Sequence, residues 1–190
     1  MPQRVIQGFG SSVARRNQGM LKKKICMVGQ FGVGKTSLVR RFVDSIFDER
    51  YLTTIGVKID RKDVSVAGKS ITLMLWDLAG EDELAELNMS HLRGASAYIL
   101  VADGCRAGTL TKAVELQQRI TQMLGPLPFA LVVNKADLRD RWEVQSEQVA
   151  QYGWPVFETS AKAGSGVEEM FLALAATLER EHAASEDAEQ

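Results

Sequence analysis

Cysteine is almost missing from this chain: Cys26 and Cys105 are the only two in 190 residues. That scarcity excludes a disulfide scaffold and suits a reducing, cytoplasmic compartment. Histidine is equally sparse, and neither His91 nor His182 stands in a metal-ligand pattern. No apolar run approaches the ~18 residues of a membrane span. No basic segment followed by an apolar core opens the chain as a secretory signal would. An excess of one charge is lacking too. The 23 basic and 24 acidic residues leave a net charge of −1, so no global basic field draws nucleic acid.

What is present suits one globular domain. The chain weighs 20.9 kDa, is 45% hydrophobic, 25% charged and 7% aromatic, and has a mean hydropathy of −0.10. It is long enough to bury a single sizeable core. Residues 1–19 carry Arg4, Arg15 and Arg16 among Gly, Ser, Gln and Asn, without an acid. They read as a disordered basic extension, with Met20 as an alternative start. Residues 183–190 read as a disordered acidic tail, which leaves 20–182 as the domain.

Within that domain, strand and helix patterns alternate. Residues 22–29, 55–66, 70–77, 97–103, 128–134 and 154–160 read as strands, with the second and third turned on Ala67-Gly68-Lys69. Residues 35–47, 81–92, 109–124, 143–152 and 166–182 carry helical spacing. Such βα alternation predicts an open, mostly parallel sheet covered on both faces, with ligands beyond the strands' carboxyl ends.

The loop after the first strand carries the most specific signal. Gly29-Gln30-Phe31-Gly32-Val33-Gly34-Lys35-Thr36 matches G-x-x-x-x-G-K-[ST], between a strand and a helix. Glycines let consecutive N–H groups converge into an anion nest, and the helix start adds partial positive charge. Gly32, Val33, Gly34, Lys35, Thr36 and Ser37 are therefore candidate phosphate contacts, with the Thr36 hydroxyl a candidate Mg²⁺ ligand. Asn134-Lys135-Ala136-Asp137 follows a later strand. The Asp137 carboxylate can accept from N1–H and the 2-amino group of guanine, donors that adenine lacks. Lys135 can lie along the base, and Asn134 can tie neighbouring loops. Ser160, Ala161 and Lys162, in a third such loop, offer backbone N–H groups to the guanine carbonyl. An adenine-nucleotide kinase or ATPase on the same phosphate loop is the weaker reading.

The stretches GQFGVGKTS, YLTTIGVKI, WDLAGED, NKAD and ETSAK, in this order, resemble the Ras superfamily of small GTPases, closest to its Rab-like branch, from about Lys22 to Glu181. The resemblance implies a three-layer phosphate-loop α/β fold: a six-stranded, mostly parallel sheet with one antiparallel edge strand and about five helices. It also implies GTP/GDP and Mg²⁺ as ligands, slow GTP hydrolysis, and effector, exchange-factor and GTPase-activating partners reading two switch loops. A monomer is expected. By position in the motifs, Phe47 would pack on guanine, Thr54 would join Mg²⁺ and the γ-phosphate, Asp77 would hold Mg²⁺ through water, and the Gly80 N–H would meet the γ-phosphate. Lys35, Gly80 and Glu81 form the implied catalytic set.

Several positions depart from that pattern. Glu81 stands where most relatives carry the glutamine that orients water. An ionised carboxylate accepts a proton from water but donates none and brings negative charge toward phosphate. A GTP-bound binding module with negligible hydrolysis is therefore the alternative function. Phe31 stands where Ras has glycine, and its ring either obstructs a partner's arginine or points outward. Arg50 is the one arginine of the first switch region that could act in cis. Trp76 belongs either to a partner surface or to packing, with Ile59 and His91 in place of the aromatics that accompany it in relatives. No cysteine follows Cys105, so no prenyl anchor is expected.

Overall fold

A computed structural model describes residues 21–46, 56–78 and 89–188. In chain order they form β1 (Leu21–Val28), α1 (Lys35–Asp44), β2 (Val57–Val66), β3 (Lys69–Leu78) and β4 (Ala97–Asp103), followed by α2 (Ala107–Leu124), β5 (Phe129–Asn134), α3 (Ser146–Ala150), β6 (Val156–Thr159) and α4 (Val167–Ala188). Two 3₁₀ helices, Met89–Leu92 and Ala136–Arg141, lie between β3 and β4 and between β5 and α3.

The six strands form one sheet in the order β2-β3-β1-β4-β5-β6. Every pairing is parallel except β2 with β3, which places the antiparallel strand at one edge as expected. Ala67 and Gly68 turn that hairpin with φ of 52° and 78°, the left-handed pair that matches the twist of a two-residue connection.

Alternation along β1 sends Ile25 and Met27 to one face and Cys26 and Val28 to the other. The first face is covered by α1 and α4, where Phe42 stacks on Phe171 with ring centroids 4.1 Å apart. The second face is covered by α2 and α3 through Leu110, Leu116, Ile120 and Val149. All seven residues of β4 are buried, as suits a central strand covered on both faces. The helix after β1 thus lies on one face and the helix after β4 on the other. Between the two strands a crevice opens at their carboxyl ends, where such sheets hold ligands.

Element bounds depart from the sequence reading for local reasons. α1 stops at Asp44 because Ser45 turns left-handed, φ 57°, and its N–H donates to the Arg41 carbonyl at 3.1 Å. The helix expected over 143–152 shrinks to α3, because the Glu143 and Val144 amides instead donate to the Gly104 carbonyl at 2.8 and 3.1 Å. α4 continues to Ala188, past the expected boundary at 182. Alanines favour that extension. The Ser185 hydroxyl also donates to the Glu181 carbonyl at 2.9 Å, and His182 lies 3.6 Å from Glu186 one turn on. The expectations for residues 1–19 and for a helix over 81–88 fall outside the described residues. Among those residues, no helix is long and apolar enough to cross a membrane.

Candidate functional site

Strand register assembles the site before any loop is considered. The ladder sets Asp103 beside Asn134 and Asn134 beside Thr159, so β4, β5 and β6 end in one polar row. On the other side of β1, Met27 pairs with Asp77, which brings a carboxylate to the same edge. All four polar residues are buried, and burial is tolerable only where each finds a partner.

The loop 29–34 leaves β1 and enters α1 across this edge. Gly32 and Gly34 take φ of 73° and 103°, a region costly for other residues. At Gly34 a Cβ would also collide with the Asn134 amide nitrogen, so glycine is required there twice over. Lys35, only 6% exposed, folds back so that Nζ donates to the Gly29 carbonyl at 2.8 Å and the Gln30 carbonyl at 3.1 Å. Thr36 Oγ1 donates to Asp77 Oδ2 at 2.5 Å. The pair presents a hydroxyl and a carboxylate, both hard oxygen donors of the kind that suits Mg²⁺. Val33 is fully buried, while Ser37 is half-buried on the first turn of α1.

Asn134 joins three segments. Its Nδ2 donates to the Val33 carbonyl at 2.9 Å, and its Oδ1 accepts from Thr159 Oγ1 and the Ala161 amide, each at 3.2 Å. Asp137 is exposed, and its Oδ1 accepts from the buried Ser160 hydroxyl at 2.5 Å. Ser160 Oγ in turn accepts from the Ala163 amide at 2.9 Å. From α1, Arg41 donates to the carbonyls of Ala161 and Lys162 at 2.8 and 2.6 Å, which pins the last loop to the phosphate-loop helix. Lys162 itself is exposed.

Lys135 sits in a left-handed conformation, φ 73°, and its Nζ donates to Asp103 Oδ2 at 2.7 Å. Asp103 also accepts from Arg106 Nε at 2.9 Å and from the Cys105 amide at 3.0 Å. Burial by itself would raise the Asp103 carboxyl, but hydrogen bonds from Lys135, Arg106 and the Cys105 amide outweigh it and hold the group below its usual range. Sequence reasoning missed Asp103, Arg106 and Arg41. A polar residue closing the apolar strand AYILVAD was the one available signal, and nothing local marks either arginine.

The structure therefore brings together Gly32, Val33, Gly34, Lys35, Thr36, Ser37, Asp77, Asn134, Lys135, Asp137, Ser160, Ala161 and Lys162 at one edge of the sheet. Phe47, Arg50, Thr54, Gly80 and Glu81 lie outside the described residues. Phe31 is 37% exposed. Trp76 is half-buried across the hairpin from Ile59, and Lys24 Nζ lies 3.7 Å from its ring centroid. Packing thus accounts for part of its environment. Among the described residues no group of three or more His, Cys, Asp or Glu could hold a metal.

A glycine-built loop entering a helix, at the crevice of a sheet with this strand order, defines the phosphate-loop class of α/β domains. The family model described as the Ras family matches residues 24–180. The chain is 36% identical over 157 residues to the Ras-related protein Rab-1D of Dictyostelium discoideum, covering 80% of this chain and 77% of that protein. It is 36% identical over 170 residues to the GTP-binding protein yptV2 of Volvox carteri, covering 84% and 78% respectively. It is 35% identical over 173 residues to the Ras-related protein Rab5 of Nicotiana tabacum, covering 88% and 86%. The chain belongs to the Ras family, in its Rab-like branch, and is a GTP-binding switch that hydrolyses GTP to GDP.

Proposed function

We propose that this edge of the sheet holds GTP or GDP with Mg²⁺, and that hydrolysis is slow until a partner assists. The observation that supports it most is Asn134, which joins the phosphate loop to the last loop while Asp137 is held beside it by Ser160. The N–H groups of Gly32, Val33 and Gly34 and the start of α1 cradle the phosphates, with Lys35 as the cation for the β- and γ-phosphates. Asp137 takes the two guanine donors, Lys135 lies along the base, and the 160–162 loop faces the base carbonyl. Phe47 packs on guanine by its place in the motif.

Thr36 and Asp77 fit a hard cation, and Thr54 completes the set by resemblance. When bound, Mg²⁺ supplies positive charge against the phosphates. In the reaction, water attacks the γ-phosphorus in line as the bond to the bridging oxygen of GDP breaks. Lys35 and the loop amides offset the developing charge, the Gly80 N–H contacts the γ-phosphate, and Glu81 orients the water. Loss of the γ-phosphate releases Thr54 and Gly80, so effectors, an exchange factor and an activating protein can read the bound nucleotide. A monomer in the cytoplasm completes the reading, and two free cysteines accord with that reducing compartment.

Two measurements test the reading. Single-turnover hydrolysis on protein preloaded with GTP and Mg²⁺ should give slow conversion to GDP, with a rate changed in Glu81→Gln. An unchanged rate would remove Glu81 from the chemistry, and intact GTP would overturn unassisted hydrolysis in favour of a strict need for an activating partner or the binding-module alternative. In competition experiments Asp137→Ala should lose guanine-over-adenine preference by at least about 100-fold, the scale for leaving polar partners unmatched. A retained preference would sink the base assignment.

A further inference from the structure

A chain of polar contacts crosses the site from its base side to its phosphate side. Asp103, 2% exposed, closes β4. Its Oδ2 accepts both Lys135 Nζ at 2.7 Å and Arg106 Nε at 2.9 Å. From the other end of the same guanidinium, Arg106 Nη2 donates to the Phe31 carbonyl at 3.0 Å, inside the phosphate loop. On the base side, the Lys135 carbonyl accepts Trp142 Nε1 at 2.9 Å. A buried carboxylate thus holds one cation from the base-side loop and another that grips the phosphate loop.

The backbone prepares Arg106 for this task. Its amide donates to the Asp103 carbonyl at 2.9 Å, and its carbonyl accepts from the Thr109 amide at 3.0 Å and the Thr109 hydroxyl at 2.7 Å. Thr109 Oγ1 also accepts from the Asp103 amide at 2.8 Å. With that turn closed on itself, only side-chain freedom is lost in making the bridge. A planar guanidinium can reach a carboxylate and a carbonyl together through two nitrogens, whereas an ammonium is a single point. The Phe31 peptide that Arg106 grips also carries the amide of Gly32, so fixing its carbonyl fixes the direction of one N–H in the nest.

We propose that Arg106 is a positioning residue that, through Asp103, locks the phosphate loop to the guanine-side loop and slows nucleotide release. The proposal rests on the nucleotide site described above and deepens it. Opening the base-side loop breaks the Lys135–Asp103 contact and opening the phosphate loop breaks the Arg106–Phe31 contact, so each loop is tethered to the same carboxylate. Arg106 touches neither base nor phosphate in this arrangement and acts through the loop it holds.

The test is displacement of a fluorescent GDP analogue by excess GDP in Mg²⁺, using the full chain. Wild type is compared with Arg106→Ala, Arg106→Gln, Arg106→Lys, Lys135→Ala and the Arg106→Ala/Lys135→Ala double variant. Arg106→Ala should speed release about three- to tenfold, the range for one charge-assisted hydrogen bond at a half-exposed position. Arg106→Gln keeps most of the side-chain volume and should behave similarly. Arg106→Lys should not restore the wild-type rate. In the double variant the increases should combine to less than their product, because Lys135, besides its place along the base, shares the Asp103 carboxylate oxygen with Arg106. A general loss of structure would instead lower the melting temperature and leave the two effects multiplicative.

A wild-type release rate in Arg106→Ala, full rescue by lysine, or multiplicative effects would overturn the bridge. Lys35→Ala and Asp137→Ala separate this failure from failure of the site itself. If both bind the analogue as wild type does, the nucleotide site is misplaced and the bridge falls with it. If both weaken binding while Arg106→Ala releases normally, the bridge alone is wrong.

Discussion

At the residue scale, Asn134 carries more of this site than any residue that would face the nucleotide. It is 2% exposed and reaches Val33, Thr159 and Ala161. Truncation leaves the Val33 carbonyl and the Ala161 amide without this partner. Asn134→Ala should therefore destabilise the fold by about 1–3 kcal/mol, the cost of stranded buried polar groups. Denaturant unfolding measures that loss, and faster release of bound nucleotide should accompany it. A midpoint equal to wild type would show that water replaces the amide without cost. The tetrapeptide NKAD was visible in the sequence, and so was Asn134 as a tie between loops, but which segments it joins was not. Asn134 meets Val33 across 101 positions of chain, a contact that no local pattern encodes.

At the element scale, strands and helices were legible where burial imposes a strict period. AYILVAD gave β4 its observed bounds because all seven of its residues are buried. Ends were less legible, since capping and long-range bonds set them. Ser45 ends α1 by turning left-handed, and a carbonyl at Gly104 takes the amides that would have extended α3 upstream. The β2–β3 turn offers a test at this scale. Ala67 is exposed at φ 52°, where alanine is strained and asparagine is tolerated. Ala67→Asn should raise stability by about 0.5–1 kcal/mol. Thermal unfolding that shows a loss would mean that the turn has another geometry in solution.

At the scale of the whole molecule, two apolar layers flank the sheet, and the buried carboxylates Asp77 and Asp103 stand at strand ends. Cys26 lies in the second layer, fully buried, and its Sγ is 3.7 Å from the His91 carbonyl. Burial raises its thiol from an ordinary 9.0 to about 11, with Lys24 pulling weakly the other way. The sign follows from the folded value exceeding the unfolded one. The contribution is fully present below about 9 and is lost as pH climbs toward about 11. The loss should reach about 2–3 kcal/mol. Urea unfolding at pH 8, 10 and 11 should show it in wild type and not in Cys26→Ala, whatever the variant's baseline. Equal pH slopes in the two proteins would refute it.

The sequence by itself determined the class of fold and the chemistry of its loops, because hydrophobic period and short polar motifs are local properties. Gly29–Thr36, Asn134–Asp137 and Thr159–Lys162 were readable as loops at strand ends without knowing where the strands lay. Tertiary structure alone decided how those loops hold one another. Arg41 reaching Ala161, and Arg106 joining Asp103 to Phe31, depend on strand order and ladder register. Both arginines are surface-type residues whose pattern says only that they favour water. Their partners were set when the sheet closed β4 against β1 and laid α1 beside the last loop.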